Sequence, residues 1–371
     1  MKTVLISGAG LAGPALAYWL RHLGFAPTVA ERASAPRSGG QAVDIRGAAL
    51  DVVRRMGLLE RARGLRTRMR GMSVLDGDGN EIERSTEKTY SSGRLDSEDI
   101  EVLREDLVGL LYERTRDGVE YLFGDGVQGL EQGEQGVRVD FESGRSRTYD
   151  LVVGADGLHS TVRRLVFGPE EEFAHHLGMH VAIWRADNFL GLDDWQLWLR
   201  DGTVGYGIYP VRDNSELRIT FGWAAGPRDP GDDHRDIEGR KQVVADRMAA
   251  VRWEAPRMLK AMWGASDFYS DAMAQIRMER WSHDRVALLG DAGYCASPLS
   301  GQGTSLALVG AYVLADALGR ADGDHRAAFA AYERRMRPFV ELNQALATEN
   351  PGGPASEASV ERAKNAIALD G

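Results

Sequence analysis

The hydrophobic pattern is clearest in the first two dozen residues. An apolar run at Val4–Ile6 predicts a buried strand, and apolar positions from Ala15 to Leu23 recur with the spacing of a helix. The glycine-rich segment Gly8–Gly13 separates these two elements. The pattern therefore predicts a strand, a tight turn and a helix, followed by a second strand at Pro27–Ala30.

Two further apolar strands are each followed by an acidic residue. Leu151–Gly154 leads into Asp156, and Val286–Leu289 leads into Asp291 and then a long helical pattern at Leu306–Leu318. An acid in this position puts its carboxylate at the carboxyl edge of a sheet, where α/β proteins bind ligands. We therefore expect both acids to lie at a binding site.

The hydrophobic pattern changes between about residues 172 and 278, where apolar and polar positions alternate. This alternation predicts an antiparallel sheet with one apolar face. Six of the chain's eight tryptophans lie in this region, and most of them should belong to the core. A cleft that faces a cofactor would use some aromatic residues to hold a ligand. The residues predicted to line such a pocket are Trp184, Trp198, Tyr209, Phe221 and Trp223.

Two connecting segments are less distinctive. Gly39–Gly47 precedes a helical pattern, and it is either backbone that approaches a flat ligand, with Arg46 beside it, or a simple turn. Residues 85–97 are polar and predict a surface loop. A final helical pattern runs from Arg326 to Leu346.

Composition narrows the class of protein. A chain of 371 residues suggests two domains, and 43% hydrophobic with 27% charged residues is ordinary for a globular protein. No apolar run reaches the ~18 residues of a membrane span. The net charge of −10 argues against nucleic acid as a partner, and the single cysteine, Cys295, fits a cytoplasmic protein. The histidines at 175, 176 and 180 lack an accompanying acidic pattern, so no metal site is expected.

The glycine-rich turn carries the first candidate chemistry. Gly8 allows the tight turn, Gly10 lets a pyrophosphate approach the backbone, and Gly13 lets the helix pack against the strand. The helix N-terminus offers N–H groups to the phosphates, and Glu31 can accept a hydrogen bond from a ribose hydroxyl. This segment predicts dinucleotide binding, and it is compatible with an NAD-dependent dehydrogenase as well as with an FAD enzyme.

Three motifs follow one another along the chain. They are Gly8-x-Gly10-x-x-Gly13 with Glu31-Arg32, Asp156-Gly157 with Ser160 and Val162-Arg163, and Gly290-Asp291 with Pro298 and Gly301-x-Gly303. In this order they resemble the motifs of the single-component FAD-dependent aromatic hydroxylases. That family includes para-hydroxybenzoate hydroxylase and, closer to this chain in length, the tetracycline-inactivating monooxygenases. The resemblance extends from residue 1 to about residue 340.

The resemblance implies an α/β fold in which a Rossmann-like FAD-binding domain carries an inserted antiparallel-sheet substrate domain and a C-terminal helix. The implied boundaries are 1–70, 98–168 and 277–325 for the FAD-binding domain, 71–97 and 169–276 for the substrate domain, and 326–371 for the C-terminal helix and tail.

The resemblance also implies roles for individual residues. Glu31 and Arg32 would hold the adenosine ribose, Arg104 the pyrophosphate, and Asp291 a ribityl hydroxyl. The loop Pro298–Thr304 would lie against the isoalloxazine. Asp156 and Arg163 would serve both FAD and the nicotinamide nucleotide, and Arg46 could tune the flavin. The full set of expected cofactor-binding residues is Gly8, Gly10, Ala12, Gly13, Glu31, Arg32, Arg46, Arg104, Asp156, Asp291, Pro298, Gly301, Gln302, Gly303 and Thr304.

Two positions depart from the family pattern. Ser305 stands where many relatives have Asn, and Val309 where many have Asp. Both lie on the helix expected beside the flavin, so they concern detailed flavin contacts rather than the fold.

The implied activity is that of a monooxygenase. FAD would be reduced by NADPH or NADH, would react with O₂ to a flavin C4a-hydroperoxide, and would transfer one oxygen atom to an apolar, aromatic or polyketide-like molecule. No side chain is assigned as an essential acid or base. The alternatives are an NAD-dependent dehydrogenase and a non-catalytic FAD-binding carrier or sensor. A halogenase is disfavoured because no lysine follows the expected strand near Trp195–Trp198.

Overall fold

The computed structural model describes residues 1–37, 39–201, 204–226, 236–350 and 353–370. The strands in these ranges are β1 (Thr3–Ser7), β2 (Ala26–Glu31), β3 (Ala42–Ile45), β4 (Gly71–Leu75), β5 (Glu81–Ser85), β6 (Lys88–Thr89), β7 (Gly93–Arg94), β8 (Ile100–Leu103), β9 (Glu120–Phe123), β10 (Val127–Gly133), β11 (Gly136–Phe141), β12 (Ser146–Tyr149), β13 (Leu151–Gly154), β14 (Ala174–Asp187), β15 (Trp195–Asp201), β16 (Val204–Val211), β17 (Glu216–Ala224), β18 (Tyr269–Ile276), β19 (Ser282–His283) and β20 (Val286–Leu288).

The helices are α1 (Ala12–His22), α2 (Ala48–Arg55), α3 (Leu59–Gly64), α4 (Arg104–Thr115), α5 (Thr161–Val166), α6 (Ile237–Met248), α7 (Ala255–Gly264), α8 (Asp291–Tyr294), α9 (Gly303–Arg320), α10 (His325–Glu349) and α11 (Glu357–Lys364). Short 3₁₀ helices lie at Glu170–Glu172 and Pro298–Ser300.

The first sheet has six strands in the order β19-β20-β13-β1-β2-β9. β1 pairs in parallel with both β2 and β13, whereas the edge strand β19 pairs antiparallel with β20. Its central strands are apolar and buried, as expected of parallel strands covered on both faces. This sheet, with α1 directly after β1, is the Rossmann-like unit that the glycine pattern predicts.

The turn between β1 and α1 depends on two close approaches of backbone. Gly8 has a φ of 107°, and a Cβ there would lie 2.5 Å from the carbonyl oxygen of Ala155. A Cβ at Gly13 would lie only 1.9 Å from the carbonyl oxygen of Gly8. Any larger residue at either position would force the strand and the helix apart. The predicted strand, turn and helix are confirmed.

The second sheet has seven strands in the order β18-β14-β17-β16-β15-β4-β5. Most neighbours are antiparallel, but β4 runs parallel to β15 and brings residues 71–75 into the sheet. One face of this sheet packs against α6 and α7 through the buried side chains of Val244, Met248, Met258 and Met262. The opposite face is left to line a cavity.

The long helix α10 packs against α9 and buries Phe329, Tyr332, Phe339 and Val340 in the core of the first sheet. α11 is attached to α10 by a hydrogen bond of 3.1 Å from Asn343 Nδ2 to the Ala363 carbonyl. Among the helices in the described ranges, none is long and apolar enough to cross a membrane.

Candidate active site

A cavity of ≈ 1010 Å³ lies between the carboxyl ends of the first sheet and the free face of the second sheet. Ser7, Ala155 and Leu289 line it where β1, β13 and β20 end. All the predicted cofactor-binding residues except Gly13 lie in its wall. Gly13 is placed just behind the wall, where it allows α1 to approach the Gly8 backbone.

The guanidinium of Arg104 is directed at the glycine turn. Its Nη2 atom is 3.6 Å from the position that a Cβ would occupy on Gly10. Burial and the nearby charge of Arg37 both lower the pKa of Arg104. Within the described part of the chain, no carbonyl or carboxylate pairs with this guanidinium. Two guanidinium groups and a helix N-terminus therefore face one place, which suits a diphosphate.

Glu31 lies at the end of β2, beside the same turn. Its carboxylate accepts hydrogen bonds of 2.9 Å from the backbone N–H groups of Ala9 and Ala33. These bonds fix the carboxylate at the edge of the cavity. Arg32 is more exposed and forms an ion pair of 2.8 Å with Glu142.

Asp156 lies just after β13, where its carboxylate accepts hydrogen bonds from the loop that contains it. It accepts hydrogen bonds from the Ser160 hydroxyl, from the Val162 N–H at 3.1 Å and from the Ser7 hydroxyl at 3.3 Å. Arg163 is buried and donates to the Ala292 carbonyl over 3.0 Å. Both predicted residues thus position backbone next to the cavity.

Asp291 begins α8 at the end of β20, and its carboxylate faces the cavity. Its recessed position raises its pKa, against the opposing effects of a hydrogen bond with Cys295 and of the Arg104 charge. A carboxylate at this strand end can accept a hydrogen bond from a ligand hydroxyl.

The loop from Pro298 to Thr304 leads into the N-terminus of α9. Gly301 adopts a left-handed conformation, with φ 64°. Gln302 is fully buried, and neither polar atom of its amide has a partner among the described residues. An unpaired buried amide costs about 1–3 kcal/mol, so this loop has polar groups to offer a ligand at the helix N-terminus.

Arg46 approaches this loop from the opposite side. Its guanidinium carbon lies 4.0 Å from the position of a Cβ on Gly301. Its Nη2 atom donates to Asp44 Oδ2 over 2.7 Å. Burial raises the pKa of Asp44 to about 7, although Arg46 opposes this shift. The segment Gly39–Gly47 thus brings Arg46 to the cavity wall, next to the loop Pro298–Thr304.

The second sheet contributes only part of the predicted aromatic pocket. Trp198 and Tyr209 line the cavity, together with Thr220. The prediction for the other three aromatic residues is corrected, because Trp184, Phe221 and Trp223 pack against α6 and α7.

Strand alternation explains this correction. Trp184 is the cross-strand neighbour of Ile219, which in turn neighbours Ile208, and these residues share the helix-covered face. Trp198 lies opposite Gly207, on the other face. Aromatic character alone does not reveal which face a strand residue occupies.

The polar segment 85–97 is also corrected, because it forms part of the cavity wall rather than a peripheral loop. Thr89 is buried, and its hydroxyl is 2.8 Å from that of Ser92. The Ser91 hydroxyl accepts a hydrogen bond of 2.7 Å from Gln196, and its carbonyl accepts one of 3.2 Å from Arg46. These hydrogen bonds satisfy the polar groups of the segment where it lies in the cavity wall.

The comparisons with known proteins are consistent with this geometry. Residues 1–346 match the family described as FAD binding domain. A flavin-dependent monooxygenase of Legionella longbeachae serogroup 1 (strain NSW150) is 38% identical, over 92% of this chain and 86% of its own. The chain belongs to the FAD-dependent monooxygenases.

Two further similarities cover almost the whole chain. An uncharacterised protein of Mycobacterium tuberculosis (strain ATCC 25618 / H37Rv), Rv1260, is 50% identical over 100% of this chain and 99% of its own. The crystal structure of the tetracycline destructase Tet(51) is similar with a TM-score of 0.89 and 33% identity, covering 100% of both chains. The resemblance inferred from the three motifs is confirmed, and the NAD-dependent dehydrogenase is set aside.

The residues of this FAD-dependent monooxygenase fit its cofactor. The unpaired guanidinium of Arg104 beside Gly10 suits the diphosphate, and the carboxylates of Glu31 and Asp291 suit hydroxyl groups on either side of it. The buried amide of Gln302 suits a polar ring edge. Among the described residues, no group of three or more His, Cys, Asp or Glu is arranged to hold a metal ion.

His159 is a residue of the cavity wall that the sequence did not single out. Its Nδ1 is 2.8 Å from Glu170 Oε1, and its Nε2 is 2.9 Å from Asp271 Oδ2. The hydrogen bonds to Asp271 and Glu170 raise the pKa of His159 to about 9. Asp271 belongs to β18, so this imidazolium connects the Asp156 loop with the second sheet. Glu170 follows His159 closely in sequence, whereas Asp271 is distant, and no local motif indicates this pairing.

Proposed function

We propose that this monooxygenase takes electrons from NADPH or NADH and inserts one atom of O₂ into an apolar, aromatic or polyketide-like small molecule. The observation that carries the proposal is one cavity whose wall contains the glycine turn and Asp291 at one side and Trp198 and Tyr209 at the other. Similarity to a tetracycline destructase supports a substrate of that general kind.

The protein groups in this proposal bind, orient and exclude water. Arg104 and the N-terminus of α1 bind the diphosphate, and Asp291 holds a ribityl hydroxyl. FAD, when bound, supplies the activation of oxygen. The second sheet places the substrate against the loop Pro298–Thr304 and shields it from water.

We also propose the division into domains inferred from the motifs. The FAD-binding domain comprises 1–70, 98–168 and 277–325, and the substrate domain comprises 71–97 and 169–276. The shared seven-stranded sheet of β4, β5 and β14–β18 supports this grouping. The C-terminal residues 326–371 brace the two domains.

The test is consumption of NADPH and NADH by the FAD-loaded protein in the presence of aromatic and polyketide compounds under ¹⁸O₂. We expect at least one compound to accelerate consumption and to yield a product carrying one ¹⁸O atom by mass spectrometry. Gly10→Glu, which should not hold FAD, is the matched control. Unstimulated consumption with every compound, and no labelled product, would refute the proposal.

A further inference from the structure

Three cross-strand neighbours form a row across the cavity face of the second sheet. Trp198 of β15 is paired with Gly207 of β16, which is paired with Thr220 of β17. Trp198 and Thr220 both line the cavity. The central position has no side chain, so it leaves a shallow notch in this face of the sheet.

The indole of Trp198 fills that notch. A Cβ added to Gly207 would lie 2.7 Å from the six-membered ring of Trp198, closer than real carbon atoms approach. The ring therefore lies across the backbone of β16 rather than standing away from the sheet. The indole therefore packs on β16 at Gly207, and Trp198 also lines the cavity.

Hydrogen bonds fix the orientation of this indole. Trp198 Nε1 donates to Gln196 Oε1 over 2.9 Å, and Gln196 Nε2 donates to the Ser91 hydroxyl over 2.7 Å. Gln196 is fully buried, and both polar atoms of its amide form these hydrogen bonds. The rings of Tyr90 and Trp198 also contact each other in an edge-to-face arrangement, with centroids 5.5 Å apart.

The same hydrogen-bonded chain reaches the side of the cavity that contains the loop Pro298–Thr304, called the flavin loop below. The Ser91 carbonyl accepts a hydrogen bond of 3.2 Å from Arg46, the guanidinium next to Gly301. Trp198 and Arg46 thus share Ser91 as a common support. An aromatic ring that is held in a fixed position relative to the flavin loop is suited to orienting a flat ligand.

We propose that Trp198 is a specificity-determining residue that stacks against a planar ring of the substrate, and that Gln196 is the positioning residue that holds it. This inference rests on the proposed function, which it deepens by naming planarity as the selected property. Aromatic pairs gain energy beyond their buried area, so a flat ring should bind better than a puckered one of equal size.

The experiment compares two probes, 1-naphthol and decahydro-1-naphthol, which share a hydroxyl and a bicyclic skeleton but differ in planarity. Their dissociation constants are measured with the FAD-loaded protein. We expect naphthol to bind about tenfold more tightly than its saturated counterpart. Gly207→Ala should remove most of this preference, because its methyl group displaces the indole.

Gly205→Ala is the matched control. It lies two residues away on β16, and a Cβ there meets nothing closer than the Leu199 carbonyl oxygen at 3.5 Å. We expect its preference for naphthol to equal that of the wild type. Trp198→Phe should keep part of the preference and Trp198→Leu should lose it, which tests the idea even if Gly207→Ala folds poorly.

Gln196→Leu separates positioning from general destabilisation. It should weaken naphthol binding without changing the affinity for decahydro-1-naphthol, whereas a structural defect would weaken both. Equal affinity of wild type for the two probes, or an undiminished preference in Trp198→Leu, would overturn the inference. Absence of FAD or of an oxygenated product would instead refute the proposed function, because probe binding is measured independently of turnover.

Discussion

The Ser305 hydroxyl accepts a hydrogen bond of 3.1 Å from the backbone N–H of Arg46, so the first turn of α9 holds the residue that faces the flavin loop. Both residues are buried. The family resemblance leads us to expect Asn at this position, and here the smaller Ser305 hydroxyl makes the backbone contact. The departure is therefore compatible with an intact site and gives no support to a non-catalytic carrier.

Ser305→Ala should leave the Arg46 N–H buried without its acceptor. We expect the free energy of unfolding to fall by about 1–3 kcal/mol, the usual cost of an unpaired buried donor. Urea denaturation of the FAD-free protein measures this change. Ser34→Ala, at an exposed serine, serves as control and should be neutral. Equal stability of the two variants would contradict the role assigned to Ser305.

Gly10→Glu should abolish FAD binding. The added carboxylate would enter the space between the glycine turn and Arg104, where it would clash with a diphosphate and repel its charge. The ratio of flavin absorbance to protein absorbance after reconstitution measures the loss. Gly64→Glu, at a position with nothing within 4 Å of an added Cβ, should bind FAD normally. A yellow Gly10→Glu protein would contradict this placement of the diphosphate.

Local patterns were sufficient to predict the cofactor side of the cavity. Gly8 is required by the turn itself, and Asp291 follows directly from its place after a buried strand. In both cases the chemistry and the backbone geometry are encoded within about ten consecutive residues. The motif positions therefore meet in the cavity with little dependence on distant parts of the chain.

The substrate side depends on relations that span long distances in sequence. Trp184 and Trp198 have similar neighbours along the chain, yet strand register puts one in the core and the other in the cavity. Ser91 belongs to the wall only because Gln196 and Arg46 bind it. Such pairings cannot be derived from periodicity, because they depend on how separate segments dock.

Asp291→Ala should weaken FAD binding by roughly ten- to a hundred-fold. A hydrogen bond to a charged acceptor is worth about 1.5–3 kcal/mol, and each 1.4 kcal/mol corresponds to a factor of ten in affinity. Fluorescence titration of the apoprotein with FAD measures the change. Thermal melts of both apoproteins provide the control, since the carboxylate faces the cavity rather than the core. A lowered melting temperature with an unchanged dissociation constant would mean that Asp291 serves the fold instead.

His159→Gln should change how stability depends on pH. The pKa of His159 is raised from 6.5 to about 9 by its hydrogen bonds to Asp271 and Glu170. Below pH 6.5 the imidazole is charged in both the folded and the unfolded chain, so the stabilisation is fully present. Above pH 6.5 only the folded chain retains the proton, and the stabilisation declines until it is lost above about pH 9.

The difference in unfolding free energy between wild type and His159→Gln, measured by urea denaturation from pH 6 to 9.5 (roughly the window that linkage sets), should therefore shrink as pH rises. A difference that stays constant over the whole range would show that His159 contributes packing rather than charge.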